Sequence, residues 1–422
     1  MSRWENKYVI GLTGNIAVGK SVVRQMLQHL GAYTIDADAL SHQVMMPGAP
    51  AYQPIIDTFG RFMLDGEGRI NRARLGALVF AIPEALTTLE ALVHPSVNQA
   101  INALISRSKQ GVVVVEAIKL LESNLAGGMD AIWVVDASPE TQLKRLIDKR
   151  KMSVDEARKR IMAQRPQAEK LTRANVIIMN DGNVEETWKQ VQNAWGGIRL
   201  NGRPVLPKTG SLSPARAAQP PPQPAAQPPA SSLPPIPRQP TTSQPPPAPV
   251  NNALIDPKTE IVVRRGMPGN AEAIAKFITQ TTRSEVGRMD IMLAFGEKSY
   301  HIAYGKNEQV IGLIGWTVEN LITRVDEFYL APNIPNAEVI RELISAIEDA
   351  SRELQSEVSF VVLPEGTSDE TCQAFIKSGY QFLKLAEVRF PAWREAAHEM
   401  IADGSAQALM KQLRADRVMK PI

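Results

Sequence analysis

The sequence predicts a parallel α/β domain, a proline-rich linker and a mixed α+β domain, in that order along 422 residues. Three observations carry this. Short β-branched runs alternate with amphipathic stretches over the first 190 or so residues, the pattern of a parallel sheet covered by helices. The stretch from Gln219 to Val250 is dense in proline and almost free of large apolar residues, so it cannot build a core. Beyond it, strand patterns and one long helical pattern follow in a different order, which marks a second domain.

The expected boundaries are residues 1–197 for the first domain, 198–255 for an extended linker, 256–400 for the second domain, and 401–422 for a tail or peripheral helix. In the first domain Tyr8 to Leu12, Ala32 to Ile35, Val112 to Val115, Ala131 to Val135 and Val176 to Ile178 read as strands, and Ser21 to Leu30 as a helix. In the second, strands are expected at Glu260 to Arg265, Val310 to Glu319, Thr323 to Leu330, Ser359 to Leu363 and Phe382 to Phe390, with a helix from Val339 to Leu354. No internal repeat relates the halves.

Composition sets limits. A formal charge of +3 gives no reason to expect nucleic acid or an anionic membrane as partner. The longest apolar runs, such as Val310 to Trp316, are far shorter than the roughly 20 residues a membrane span needs. One cysteine and five histidines offer neither a disulfide nor zinc-type spacing, so a cytoplasmic protein is expected.

The first strand runs into Gly14-Asn15-Ile16-Ala17-Val18-Gly19-Lys20-Ser21, which satisfies GxxxxGK[ST] between a strand and a helix. Gly14 and Gly19 let backbone N–H groups turn inward, and the helix N-terminus adds positive field on a bound phosphate. Lys20 would reach the β and γ phosphates, while the Ser21 hydroxyl would coordinate Mg²⁺. Val22 opens the helix. A P-loop alone does not separate a kinase from other nucleotide hydrolases.

Asp36-Ala37-Asp38 places two carboxylates at the carboxyl end of a strand expected to neighbour the first. One could deprotonate an attacking hydroxyl; equally, the pair could be an acidic helix start with Asp38 as cap. Further on, Lys144, Arg145, Lys149, Arg150, Lys151, Arg158, Lys159, Arg160 and Arg165 form a basic cluster, and Ser153 with Glu156 makes a capping box for a helix beginning near Val154. Arg145, Arg150 and Arg160 are the candidates for phosphate contacts from a lid that excludes water.

These residues resemble the dephospho-CoA kinase family from about Tyr8 to Trp195. The resemblance includes Gly11-Leu12-Thr13-Gly14, Gly19-Lys20-Ser21, Ile35-Asp36-Ala37-Asp38, Gly68 to Arg72, His94-Pro95, Leu120-Leu121-Glu122, the lid residues Arg145, Arg150, Arg160 and Gln164, and Ile178-Met179-Asn180. It implies a P-loop kinase fold with a helical lid, ATP as donor, Mg²⁺ as cofactor and the 3′-hydroxyl of dephospho-CoA as acceptor. By position it implies that Asp38 activates the hydroxyl with Asp36 in support. It further implies that Asn180 joins the ATP site, and that His94, Pro95, Arg72 and Arg160 shape the acceptor site. Asn15, Ala17 and Val18 depart from the family's commoner glycines and serine, and Val22 from a common threonine. Glu116-Ala117-Ile118-Lys119 stands where the family has Asp-x-Pro before Leu-Leu, and Asn98 where it often has arginine. The alternatives are another nucleoside or nucleotide P-loop kinase, or a non-catalytic nucleotide sensor.

The second domain faintly resembles the GNAT acetyltransferase fold through Val310 to Leu330 and Ala374 to Tyr380. Its place for the acetyl-CoA loop reads Asn333-Ile334-Pro335-Asn336-Ala337-Glu338, without glycine. An acyl-CoA ligand, acetyl transfer with Glu327 and Tyr380 as acid/base residues, and a degenerate binding module all stay open.

Overall fold

In a computed structural model of the chain, residues 4–207, 261–282, 284–332, 336–364, 366–401 and 407–415 are described. The expected linker lies almost wholly outside them, as do Asn333 to Pro335.

The first domain runs β1 (Tyr8–Thr13), α1 (Lys20–His29), β2 (Tyr33–Asp36), α2 (Ala37–Val44), α3 (Tyr52–Phe59), α4 (Arg72–Ala81), α5 (Pro83–Arg107) and β3 (Val112–Glu116). It continues through β4 (Ala131–Asp136), α6 (Pro139–Arg150), α7 (Val154–Met162), α8 (Gln167–Leu171), β5 (Val176–Met179), α9 (Val184–Gly196) and a small hairpin of β6 (Arg199–Leu200) and β7 (Arg203–Pro204). The five long strands form a parallel sheet in the order β2-β3-β1-β4-β5. β3 shows why the strands read as continuous apolar runs. Val112 and Val114 pack into one buried cluster with α1 and α9, while Val113 and Val115 pack into another with α2 and α5. Both faces are covered, so alternation has no role.

Two expectations are corrected here. β2 does not neighbour β1, because β3 lies between them and brings Glu116 to the same sheet edge as Asp36. The linker also begins later than residue 198: Ile198 is buried and Trp195 Nε1 donates to the Val205 carbonyl at 3.1 Å, which ties the hairpin to the first domain.

The second domain comprises β8 (Val262–Arg265), α10 (Ala271–Thr282), α11 (Arg288–Ala294), β9 (Ser299–Tyr304), β10 (Val310–Glu319), β11 (Ile322–Leu330) and α12 (Asn336–Glu353). After these come β12 (Val358–Leu363), α13 (Asp369–Lys377), β13 (Gln381–Phe382), α14 (Pro391–Met400) and β14 (Gln407–Gln412). Its mixed sheet has the order β13-β14-β12-β11-β10-β9-β8. The parallel β11–β12 pair lasts only from Ile322 to Val325, after which each strand follows its other neighbour.

The expected tail is a strand instead. β14 fills the slot between β12 and β13 and buries Leu409 completely, so tertiary pairing overrides a sequence of mostly helix-forming residues. The strand expected over Phe382 to Phe390 stops at Phe382, because a 3₁₀ turn at Leu385–Glu387 redirects the chain to pack Val388 and Phe390 beneath Trp393.

The two domains pack against each other. His29 Nε2 donates to the Phe295 carbonyl at 3.0 Å and Gln25 Nε2 to Ser299 Oγ at 3.0 Å, both buried, and Gln355 Nε2 reaches the Leu104 carbonyl at 3.0 Å. A single buried apolar cluster contains Leu104 and Ile105 of α5 together with Leu354 and Ile347 of the second domain. Each fully buried side chain of this size contributes about 1.5–3 kcal/mol, so the docking rests on more than polar contacts.

Candidate active site

Two glycines of the β1–α1 loop are fixed by geometry. A Cβ on Gly14 would lie 2.4 Å from the Val135 carbonyl oxygen, and one on Gly19 would lie 2.0 Å from Asn180 Nδ2, with both residues at positive φ. Ala17 also sits at φ 58°, a conformation that favours glycine over alanine. Lys20 is buried, and its ammonium donates to the Asn15 carbonyl at 3.2 Å, folding back over the loop. Burial lowers its pKa, opposed by the carboxylates of Glu116, Asp38 and Asp36.

The lid is joined to this loop. Gln164 Oε1 accepts from Ile16 N at 2.6 Å, Gln167 Oε1 from Asn15 N at 3.0 Å, and Asn15 Nδ2 donates to the Arg165 carbonyl at 3.1 Å. Arg145 donates to the carbonyls of Ala17 and Val18 at 3.1 Å each and to that of Asn180 at 2.6 Å. Asn180 is buried, with Nδ2 on the Val18 carbonyl at 2.8 Å. Arg145 and Asn180 thus brace the phosphate loop from outside, while Arg150 is close enough to Lys20 to act on its pKa.

Asp36 caps α2 through its carboxylate, accepting from Ala39 N at 2.8 Å, so the cap is Asp36 and Asp38 lies in the first turn. Asp38 accepts from Ile118 N at 3.2 Å. Protein crowding around the carboxylate raises its pKa, and the Ile118 N–H opposes this. The Ile118 carbonyl in turn accepts from Lys170 Nζ at 2.9 Å and Thr13 Oγ1 at 3.2 Å. Ile118, which holds Asp38, lines a cleft of about 420 Å³ together with Glu90, His94, Lys119, Gln164 and Lys170 among others. Lys119 pairs with Glu90 at 2.7 Å.

Not every expected residue arrives here. His94 does, but Pro95 lies within α5 and does not line the cleft. Arg72 lines a separate hollow with His42 and Glu395, the last at 3.4 Å, and Arg160 pairs along its own helix with Glu156 at 2.9 Å. Three residues were missed. Glu116 ends the all-valine strand β3, which was a readable signal for a carboxylate at the sheet edge; its Oε1 lies 3.4 Å from Ser21 Oγ and its Oε2 accepts from Arg24 Nε at 2.7 Å. Arg24 and Lys170 carried no signal, since nothing in helical spacing tells an inward base from a solvated one.

In the second domain Tyr380 is buried with its hydroxyl on Ser359 Oγ at 3.1 Å, and Glu327 pairs with Lys298 at 2.8 Å. Tyr380 is a core residue, not a free acid.

A parallel sheet whose carboxyl edge carries a phosphate loop, a basic helical segment bonded to that loop and the paired carboxylates of Asp36 and Asp38 defines a P-loop phosphotransferase. A family model for dephospho-CoA kinase matches residues 8–186. The chain is 44% identical over 186 residues to the dephospho-CoA kinase of Carboxydothermus hydrogenoformans, covering 43% of this chain and 90% of that one. It is 42% identical over 197 residues to that of Thermobifida fusca, covering 46% and 98%. The chain belongs to the dephospho-CoA kinase family. Its second domain aligns with the PaiA N-acetyltransferase of Thermoplasma acidophilum, solved with coenzyme A, at 11% identity and a TM-score of 0.29, over 36% of this chain and 99% of that one.

Proposed function

We propose that the site transfers the γ-phosphoryl group of ATP to the 3′-hydroxyl of dephospho-CoA, giving coenzyme A and ADP. The observation that carries this residue-level reading is Asp38, bonded to Ile118, which itself lines the cleft containing His94, and near enough to Lys20 for each to act on the other's charge. Asp38 takes the proton of the acceptor hydroxyl as its oxygen attacks the γ-phosphorus. The bond from that phosphorus to the bridging oxygen breaks, and ADP leaves with the electron pair. Lys20 and Arg150 offset charge on the phosphates, and the Gln164–Gln167 segment bonded to the loop shields the site from water.

Ser21 and the nearby Glu116 and Asp36 are hard oxygen donors suited to Mg²⁺. Mg²⁺ there would neutralise charge on the β and γ phosphates. Among the described residues no helix is long and apolar enough to cross a membrane, and a cytoplasmic setting suits both substrates and the unpaired Cys372.

The test is ADP release by the full chain with Mg-ATP and dephospho-CoA, adenosine, AMP or CMP. Turnover with dephospho-CoA is expected; turnover with another acceptor alone would assign a different kinase, and ATP binding without turnover a sensor.

A further inference from the structure

We propose that the second domain completes the ATP site, with Met289 and Leu293 of α11 forming the apolar wall against which the nucleobase rests. The inference rests on the reading of the P-loop as an ATP site. A cavity of about 980 Å³ is lined by Gly19, Lys20 and Ser21 of the phosphate loop, by Asn180 and Gly182 to Val184 of the first domain, and by the second domain. It is large enough for a nucleotide and continuous with the phosphate loop, so a nucleotide anchored at Lys20 must direct its base into it.

The second domain lines the cavity with two kinds of side chain. Lys298, Arg324, Asp326 and Glu399 are joined as Lys298–Asp326 at 2.6 Å and Arg324–Glu399 at 2.8 Å, so their charges are already compensated. The apolar ones include Val318, Val362 and Met400, but Met289 and Leu293, four residues apart on one face of α11, are the exposed ones, at 47% and 53%, although they line a cavity. Exposed apolar side chains on a concave wall are the surface a planar base buries, and methionine adapts well to an aromatic ring. Val184 lies across from them on the first domain's side.

The wall is also fixed in place. Arg288, at the start of α11, forms an ion pair with Glu185 of α9, and the Phe295 carbonyl just past its end accepts from His29 of α1. α11 is therefore clamped across the two helices that flank the phosphate loop.

Calorimetry on the full chain tests the inference with two probes, Mg-ATP and tripolyphosphate, the second lacking a base. For the double variant Met289→Ser/Leu293→Ser, the dissociation constant for ATP is expected to rise roughly five- to tenfold while that for tripolyphosphate stays unchanged. The volume-conserving pair Met289→Leu/Leu293→Met should bind ATP within about twofold of the parent. Phe382→Ser, which removes an equally exposed apolar residue from β13, should change neither. Unchanged ATP affinity in the folded double variant, or equal weakening of both probes, overturns the proposal. Should the double variant unfold, Leu293→Asn alone is read against the same two probes. Failure of the parent chain to phosphorylate dephospho-CoA would overturn the acceptor assignment and leave this binding comparison intact.

Discussion

Arg24 Nε holds Glu116 Oε2 at 2.7 Å, and the other oxygen of Glu116 lies 3.4 Å from Ser21 Oγ. This pair links the first turns of α1 to the end of β3, and both side chains are largely buried. Glu116→Gln is expected to lower stability by about 1–3 kcal/mol, because it removes the nearer charge partner of a buried guanidinium and leaves only the more distant Asp36 at 4.0 Å. Denaturant unfolding measures this. Glu116→Asp, the residue type the family carries, should fold and retain turnover; equal loss in both variants would contradict the role.

Asp38→Asn should cut turnover on the order of a hundredfold or more while ATP affinity changes little, as measured by ADP release and calorimetry. The base works only when deprotonated, and crowding raises its pKa above the ordinary 3.8, so the rate should fall with acid along a limb displaced above that value.

Ile118 stands where the family has proline, which has no N–H to donate. Its N–H to Asp38 lowers the carboxylate's pKa against the effect of burial. Ile118→Pro is therefore expected to move the acidic limb of the rate profile to higher pH. An unmoved limb would show that the hydrogen bond does not tune the base.

Lys170→Met should reduce turnover roughly tenfold, since it removes a charge-assisted hydrogen bond to the carbonyl of Ile118, the residue whose N–H holds Asp38. Its effect on the ATP dissociation constant should be smaller than its effect on kcat.

His29 is buried at the domain junction and its pKa is pushed down to about 3 by burial and then by Arg265. His301 is likewise pushed down to about 3. Both are neutral in the folded chain. Below about pH 6.5 the unfolded chain takes up protons that the folded one refuses, so their contribution is complete above that pH and is lost as pH falls toward 3. The thermal midpoint should drop across this window, and His29→Gln should shallow the drop.

Much of the first domain was legible because its chemistry is local: the phosphate loop, Asp36 with Asp38, and the lid cap at Ser153 are all short-range patterns. Glu116 was legible in principle, as an acidic residue closing a four-valine strand. Lys170 and Arg24 were not, because what gives them a role is the fold bringing residues 20, 38, 116 and 118 to one sheet edge. Arg72 shows the reverse: matched to the family in sequence, it faces Glu395 of a domain the matched relatives do not cover. In the second domain β14 escaped notice because a strand made of Ala, Leu, Met and Lys is defined by its slot.

The approach of Gly296 to Val22 ties the second domain to the first turn of α1. A Cβ at Gly296 would lie 3.2 Å from Val22 Cγ1, one residue beyond the Ser21 hydroxyl. Position 22, where relatives commonly carry threonine, is here a contact with a second folded unit as well as a helix start. A side chain added at Gly296, or a bulkier one at position 22, therefore disturbs the start of α1 and the docking of the second domain together, at the turn that grips phosphate.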